Sequence, residues 1–205
     1  MGYSLITSRH NPQLKLLRAV FTRKGRRLHG LAPLEGVRAI REALEAARLV
    51  QVFVAEDTLS RVRGGLELLQ DLAAAGVPIV GVEPRLLAQI ADTKTPQGIL
   101  ALVRIHYAAP AEVFRRSGTI ALALDGLQDP GNLGTIIRAA AGLGARGVLL
   151  LPGTADPYNP KVLRSTAGAL LHTTVARLSA RELICETQRH AFRLLAAVPR
   201  ASRPS

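Results

Sequence analysis

The second half of the chain alternates short apolar segments with helix-like segments, and this alternation constrains the fold more than any other feature. The segments with the composition of buried strands are TIALALDGL, RGVLLLPG, TVARL and FRLLAAVP, and the segments with helical character are NLGTIIRAAAGLGA, NPKVLRSTAGALLHT and SARELICETQRHA. Continuous apolar strands separated by helices indicate a parallel sheet covered on both faces. Ligands bind such sheets at the carboxyl ends of the strands. The loops DGLQDPGN, PGTADPYNP and VPRASRPS therefore form the expected site region.

The first half of the chain is predicted to form its own alternating α/β domain. Asn11 followed by Pro12 is a typical helix start, the run RKGRRLHG is predicted to be a basic loop after that helix, and residues 34–48 are predicted to form a second helix. Strands are expected at VQVFVAED, VPIVGV and GILALVRI. We therefore expect a first domain over residues 1–105, a linker over 106–118 and a second domain over 119–205.

The charge of the chain points to a polyanionic partner. Lys and Arg number 27 against 15 Asp and Glu, which gives a formal charge of +12, and an excess of this kind favours nucleic acid. Codon bias toward Arg is the alternative explanation, but residues 1–30 hold a cluster of basic residues and no acidic residue. The cluster consists of Arg9, Lys15, Arg18, Arg23, Lys24, Arg26 and Arg27. We predict that Arg9 and the run from Arg23 to Arg27 contact RNA phosphates.

The cysteine content and the apolar segments indicate where the protein acts. A single cysteine, Cys185, excludes an internal disulfide and a cysteine-based metal cluster, which favours a reducing compartment. The N-terminal residues lack the apolar run of a signal peptide, and apolar runs long enough to span a bilayer are absent from the sequence. We therefore expect a cytoplasmic protein with no membrane partner and no metal site.

The glycine-containing stretch DGLQDPGNLGTIIRAA does not match a nucleotide fingerprint. The spacing G-N-L-G differs from G-x-G-x-x-G, and the Walker lysine motif is absent from the chain. Two helices nevertheless carry polar groups near strand ends: Asn132 and Arg138 are expected at the mouth and first turns of one helix, and Lys161, Arg164 and Ser165 lie on the next. Helix starts that follow parallel strands share one edge of the sheet, so these groups are predicted to converge there.

These two helices resemble the motifs of the SpoU family of RNA ribose 2′-O-methyltransferases, within the knotted SPOUT superfamily. The family's first motif, N-x-G-x-x-x-R-x-A, is matched by Asn132, Gly134, Arg138 and Ala140, and its second, K-x-x-R-x-x-x-G-A, by Lys161, Arg164, Gly168 and Ala169. The first half is similar to the L30e-like substrate-binding domain of these enzymes at SRHNPQLK, LEGVRAIREAL and TPQGILALV. The implied fold is an L30e-like α/β sandwich domain followed by a parallel-sheet α/β knot domain that is C-terminally incomplete.

The resemblance implies that S-adenosylmethionine donates a methyl group to a ribose 2′-hydroxyl of RNA, with ribosomal RNA favoured over transfer RNA. The family assigns activation of the hydroxyl to the position of Arg138. Because a guanidinium stays protonated in proteins, we expect Arg138 to hold the adjacent phosphate and to stabilise developing alkoxide charge. Asn132 is expected to fix the loop or to bind the ribose. Lys161 and Arg164 are candidates for RNA phosphate contacts or for a solvated helix face, and the family implies a homodimer.

The sequence departs from the family pattern after the last predicted strand. The third motif, a strand ending in G-x-E and a later segment close to S-L-N-V-S, is expected beyond Val198, and the sequence given ends at Ser205. The remaining part of the cofactor edge is predicted at Ala197, Val198 and Pro199. The alternative function is therefore a non-catalytic RNA-binding protein derived from a truncated methyltransferase.

Overall fold

The first half of the chain forms a mixed five-stranded sheet in the computed structural model, which describes residues 3–115 and 119–197. Its strands are β1 (Leu5–Ile6), β2 (Leu31–Glu35), β3 (Leu49–Val54), β4 (Ile79–Val82) and β5 (Ile99–Arg104). The strand order is β1-β4-β3-β5-β2. Strand β4 runs parallel to β1 and β3, whereas β5 runs antiparallel to β2 and β3.

Helices cover both faces of this first sheet. They are α1 (Pro12–Ala19), α2 (Arg23–His29), α3 (Val37–Glu45), α4 (Glu56–Leu59), α5 (Gly65–Ala74) and α6 (Pro84–Ala88). Side chains alternate between the faces along a strand. Phe53 of β3 accordingly packs in a core with α1 and α6, and Val52 and Val54 pack in another core with α3 and α5.

One local prediction for the first half is wrong, and another is confirmed with shorter bounds. The run RKGRRLHG is not a loop but helix α2, because Thr22 caps its start by accepting a hydrogen bond from the Gly25 amide and Gly30 ends it in a left-handed conformation. The helix predicted over roughly residues 34–48 forms over the shorter range Val37–Glu45, because Gly36 has a φ of 96° and separates strand β2 from helix α3. The helix start at Pro12 is confirmed, and the Asn11 side chain caps it.

The second half forms the parallel sheet that the apolar alternation predicts. Strands β6 (Ala121–Leu124), β7 (Gly147–Leu150) and β8 (Val175–Arg177) lie in that order and are all parallel. The surrounding helices are α7 (Pro110–Phe114), α8 (Pro130–Gly142), α9 (Pro160–Thr166), α10 (Ala169–His172) and α11 (Ala180–Arg189). Leu150 faces a core shared with α8 to α10, and Leu149 faces a second core with α7 and α11. The sheet is thus covered on both faces, as predicted.

Three details of the second half differ from the prediction. The helix expected over NPKVLRSTAGALLHT is divided into α9 and α10, because Ala167 and Gly168 both have positive φ. The strand expected at FRLLAAVP does not form over residues 192–197. A strand requires a neighbour for its backbone groups, and this segment has none in the described part of the chain. Helix α7 lies inside the expected linker and packs against the second sheet.

One apolar core crosses the boundary between the two halves. It contains Ile40 and Leu34 from the first half, and Leu133, Val162 and Leu163 from the second. The two halves therefore pack through a continuous buried surface. This contact fixes how the basic N-terminal region lies relative to the second sheet.

Candidate functional site

Helix α8 begins directly after β6, at the carboxyl edge of the second sheet. Asp129 caps it by accepting a hydrogen bond from the Asn132 amide at 2.6 Å, and Pro130 occupies its first turn. The stretch DPGN is thus an N-cap followed by a favourable first-turn proline. The turn before the helix is held by local capping, and the glycine-containing stretch serves to begin α8.

Gly134 is the point of closest approach between α8 and α9. A Cβ atom at this position would lie 1.7 Å from Ser165 Oγ and 3.0 Å from the Val162 carbonyl oxygen. Only glycine permits this packing distance. The Ser165 hydroxyl donates a hydrogen bond to that same Val162 carbonyl, one turn earlier in helix α9. Its hydrogen bond is therefore made to the backbone of its own helix. Gly134 therefore positions the two motif-bearing helices against each other.

Asn132 and Arg138 are both exposed on α8, but they do not share one face of the helix. Asn132 lies in the first turn, whereas Arg138 lies in the third turn and not in the first turns as expected. Six residues in an α-helix correspond to a rise of about 9 Å and a rotation that leaves the side chains about 120° apart. Neither side chain has a hydrogen-bond or ion-pair partner within residues 3–115 and 119–197. Both are thus available to a ligand, at separate points of α8.

The charged residues of α9 differ in their surroundings. Lys161 is exposed, and its backbone amide donates to the Asn159 side chain that caps the helix. Arg164 lies 2.7 Å from the Asp92 carboxylate across the boundary between the two halves. The Arg164 charge is therefore partly used within the protein, and Lys161 keeps its charge for solvent or a ligand.

Loops at the carboxyl ends of β6 and β7 are bonded to each other. The Thr154 hydroxyl donates to the Leu124 carbonyl at 2.9 Å, and the Ala155 amide donates to the Leu127 carbonyl at 2.8 Å. Beside these loops lies a cleft of about 390 Å³, which we call the edge cleft. Its lining consists of Arg23, Leu150, Leu151, Pro152, Gly153, Thr154, Ala155, Arg177, Leu178, Ser179 and Glu182.

Helix α2 separates its basic residues into two groups. Arg23, Lys24 and Arg27 are exposed and together line a hollow of about 500 Å³. We call these three residues the α2 cluster. Arg26 is only 3% exposed, and it donates two hydrogen bonds to the Asp156 carboxylate, at 3.0 and 2.8 Å.

The burial of Arg26 corrects its predicted role. Its guanidinium also donates to the carbonyl oxygens of Val20 and Phe21, so its charge and its donors are used inside the protein. In this arrangement Arg26 links α2 to the loop before α9, and its guanidinium is not exposed for contact with a ligand. Arg9, by contrast, is exposed in the turn before α1, where its carbonyl accepts a hydrogen bond from Arg18.

Two tyrosines complete the contact around Asp156, and sequence reasoning missed them. The Tyr158 hydroxyl donates to the His106 carbonyl at 2.8 Å and accepts from the His106 amide. Tyr107 contacts Tyr158 edge to face and lies under the Arg177 guanidinium, 4.3 Å from the ring centroid. Burial raises the pKa of Tyr107 and of Tyr158 above their ordinary value. Both rings therefore stay neutral at physiological pH.

Of the three residues predicted to bind the cofactor, the structure describes only Ala197. Ala197 is exposed after α11, and Val198 and Pro199 lie outside the described residues. The edge cleft is lined by the charged side chains of Arg23, Arg177 and Glu182, whereas an adenosyl group requires a largely apolar slot. The edge cleft therefore does not fit an adenosyl group, and Ala197 is the one predicted cofactor contact that the structure describes.

Comparison with known sequences identifies related proteins over nearly the whole chain. An uncharacterized tRNA/rRNA methyltransferase of Synechocystis sp. is 35% identical over 97% of this chain and 71% of its own length. The 23S rRNA (guanosine(2553)-2′-O)-methyltransferase RlmP of Bacillus subtilis is 32% identical over 84% of this chain. The human mitochondrial rRNA methyltransferase 3 is 38% identical over 73% of it. The chain spans 64% of the Bacillus protein and 36% of the human protein.

Solved structures place the fold in the same class. An AdoMet-bound rRNA methyltransferase from Sinorhizobium meliloti superposes with a TM-score of 0.79 at 25% identity, over 92% of this chain and 69% of that one. An RNA 2′-O ribose methyltransferase superposes with a TM-score of 0.72 at 30% identity, over 97% of this chain and 74% of that one. The fold is therefore that of the SPOUT RNA methyltransferases.

The chain belongs to the SpoU rRNA Methylase family. The sequence profile of that family matches residues 119–205, and the profile of the MRM3-like substrate binding domain matches residues 11–101. Members of the family are RNA methyltransferases, and S-adenosylmethionine is their cofactor, as the AdoMet-bound neighbours illustrate. The motif residues on α8 and α9 thus lie in an enzyme fold.

Proposed function

We propose that this protein methylates a ribose 2′-hydroxyl in RNA, with ribosomal RNA favoured over transfer RNA as the substrate and S-adenosylmethionine as the methyl donor. The observation that carries the proposal is Arg138, which is exposed and has no partner in the described structure, whereas Arg26 and Arg164 are paired with carboxylates. An unpaired arginine on the motif helix is available to an anionic substrate. The named 2′-O activities of the Bacillus relative and of one structural neighbour support the choice of reaction.

The chemistry requires that the ribose oxygen be held and its charge stabilised. S-adenosylmethionine supplies an electrophilic methyl group on a sulfonium. When that group is bound, its methyl carbon would pass to the 2′-oxygen, the remainder would leave as a thioether, and the hydroxyl proton would pass to solvent. Arg138 stays protonated and is a poor base, so its role is to bind the adjacent phosphate and to stabilise the negative charge that develops on the oxygen. Fixing the oxygen at attack distance supplies a further part of the rate.

Asn132 acts at a separate point from Arg138. Because the two side chains are about 120° apart around α8, they approach RNA from different sides of this helix. We propose that Asn132 binds the ribose or the strand near the start of α8, while Arg138 binds the phosphate. The backbone amide of Asn132 already donates to the Asp129 carboxylate, so only the side-chain amide of Asn132 is left for RNA.

The RNA-binding surface is proposed to include the α2 cluster together with Arg9 and Lys161. All of these side chains are exposed, and phosphate contacts by basic side chains dominate affinity for nucleic acid. Arg164 contributes only if RNA competes with its ion pair to Asp92. Arg26 is left out of this surface because it is buried.

The homodimer and the cytoplasmic location also belong to the proposal. Ile120 and Leu143 on the second half are 74% and 88% exposed, and we propose that they contact a second copy of the chain. The lone Cys185 suits a reducing compartment. No helix in the described part of the chain is long and apolar enough to cross a membrane. Sedimentation equilibrium of the chain, compared with a Leu143→Glu variant, tests the dimer.

The test of the function is methyl transfer to RNA, measured beside cofactor binding. Purified chain is incubated with radiolabelled S-adenosylmethionine and ribosomal RNA, and the products are mapped by resistance of the modified ribose to alkaline cleavage. We expect label at a 2′-oxygen, and calorimetric titration is expected to show saturable cofactor binding. RNA binding without cofactor binding or methyl transfer would instead support the non-catalytic RNA-binding alternative for this chain.

A further inference from the structure

The edge cleft joins the two halves of the molecule through two arginines. Arg23 enters it from α2, and Arg177 enters it from the end of β8. Arg23 also lines the hollow formed by the α2 cluster. The two concave surfaces therefore share one residue and form a continuous basic path from α2 to the carboxyl edge of the second sheet.

Arg177 is held in place, but its charge is not consumed. Its guanidinium packs on the neutral ring of Tyr107 and is 3.8 Å from Asp156 Oδ1, and its side chain remains 52% exposed. The Asp156 carboxylate already accepts two hydrogen bonds from the buried Arg26 at its other oxygen. Arg26 thus neutralises Asp156, and Arg177 keeps a net positive charge toward the cleft.

The acidic group in the edge cleft is engaged in local structure. Glu182 forms a capping box at the start of α11, where its carboxylate accepts from the Ser179 amide at 2.6 Å and from the Ser179 hydroxyl at 2.8 Å. The hydrogen bonds from the Ser179 backbone and hydroxyl lower the pKa of Glu182, so this carboxylate stays charged and weakens anion binding. Two arginines against one carboxylate leave the lining of the cleft with a net charge of +1.

Building on the proposed function, we propose that the edge cleft binds a phosphodiester of the RNA strand, with Arg23 and Arg177 as its ligands. The size of the cleft and its polar surface suit a phosphate and its hydration shell. The shared residue Arg23 lets the strand continue from this phosphate onto Lys24 and Arg27. The cleft thereby fixes the direction of the RNA between the first domain and the second sheet.

The experiment measures the salt dependence of RNA binding. Fluorescence anisotropy follows a labelled single-stranded RNA of mixed sequence bound to the full chain over a series of salt concentrations. Each phosphate contact on a single strand contributes about 0.7 to the slope of log affinity against log salt. Arg177→Gln and Arg23→Gln are each expected to reduce the slope by about 0.7. Arg61→Gln is the matched control, because Arg61 is an exposed arginine that lines neither concave surface.

A second variant tests independently whether the charge of the edge cleft changes RNA affinity. Glu182→Gln keeps an acceptor for Ser179 but removes the negative charge from the cleft, so RNA affinity is expected to rise. Thermal melting of every variant identifies loss of folding. If Arg177→Gln behaved like Arg61→Gln and Glu182→Gln did not strengthen binding, the edge cleft would not be an RNA phosphate site.

The outcomes separate this proposal from the proposed function. If the wild-type chain bound RNA with a slope that the triple variant of the α2 cluster reduced but Arg177→Gln did not, only the cleft proposal would be overturned. If the wild-type chain neither bound nor methylated RNA, both would be. Calorimetry with inorganic phosphate is the remaining arm: saturable binding that Arg177→Gln abolishes, together with an unchanged RNA slope, would identify a free-phosphate site instead.

Discussion

Arginines at the contact between the two halves are paired with carboxylates, whereas the arginine on the exposed side of α8 is not, within the part of the chain that the structure describes. At the contact, Arg26 and Arg164 are paired with Asp156 and Asp92. On α8, Arg138 is exposed and has no partner in the described structure. The difference separates charge that holds the protein together from charge that is available to a substrate.

The glycines of α8 also differ between a packed side and an exposed side of the helix. Gly134 allows α8 to approach α9 so closely that a methyl group would collide with Ser165. Gly142 lies on the same helix, and nothing lies within 4 Å of the Cβ position there. A motif glycine can therefore act through packing alone, and the position of the polar groups follows from that packing.

The largest effect is expected for Arg138→Ala on methyl transfer. Removing one group that stabilises developing oxyanion charge costs about 100- to 1,000-fold in rate. RNA affinity is expected to change little, because Arg138 provides at most one of several phosphate contacts. Single-turnover methylation with saturating RNA measures the effect, and Arg61→Ala serves as the control. An Arg138→Ala variant that kept full turnover would remove Arg138 from the substrate site.

The next effect is on stability, for Arg26→Gln. The substitution leaves the Asp156 carboxylate, which is 14% exposed, with only the half-exposed Arg177 at 3.8 Å as a charged partner, and breaking a buried ion pair costs about 3–5 kcal/mol. Urea unfolding measures the loss. Arg27→Gln is the matched control on the same helix, and an exposed substitution of this kind is expected to stay within about 0.5 kcal/mol. Equal stability of the two variants would show that the Arg26–Asp156 contact does not hold the halves together.

A smaller loss of stability is expected for Gly134→Ala. The added methyl group must displace Ser165 or separate α8 from α9, and overpacking of this kind costs about 1–3 kcal/mol. Gly142→Ala should instead stabilise the protein by up to about 1 kcal/mol through helix propensity. The double variant Gly134→Ala/Ser165→Gly is expected to recover part of the loss, because it removes the atoms nearest to the new methyl group. Unfolding curves for wild type, Gly134→Ala, Ser165→Gly, their double variant and Gly142→Ala test this, and an additive double variant would contradict the proposed collision.

Local signals in the sequence were sufficient for the second sheet and for most element types. Apolar strands and intervening helices follow from periodicity, and the start of α1 follows from Asn11 and Pro12. Helix α2 was missed because its basic composition suggested a loop, although Thr22 and Gly30 mark its two ends. The third-turn position of Arg138 follows from reading Asp129 and Pro130, instead of Asn132, as the start of α8.

Long-range contacts could not be read from the sequence. The partner of Arg26 is Asp156, 130 positions away, so a cluster of basic residues gave no sign that one member is buried. The segment after α11 resembles a strand in composition, but a strand also needs a neighbour to pair with. Motif resemblance predicted Asn132 and Arg138 as site residues, and it did not indicate that they lie on different faces of α8.

The smallest effect is expected for Arg164, which is paired with a carboxylate like Arg26 but is partly exposed to solvent. Its ion pair with Asp92 is partly exposed, at 34% and 43%, so Arg164→Gln is expected to cost no more than about 1 kcal/mol. Asp92→Asn distinguishes the two roles, because it leaves Arg164 without a counter-charge. If Arg164 also contacts RNA, Asp92→Asn should strengthen RNA binding and Arg164→Gln should lower the salt slope by about 0.7. If neither variant changes RNA binding while both lower stability, Arg164 belongs with Arg26 as a residue that joins the two halves, and Arg138 is then the arginine of this motif pair that we propose contacts the substrate.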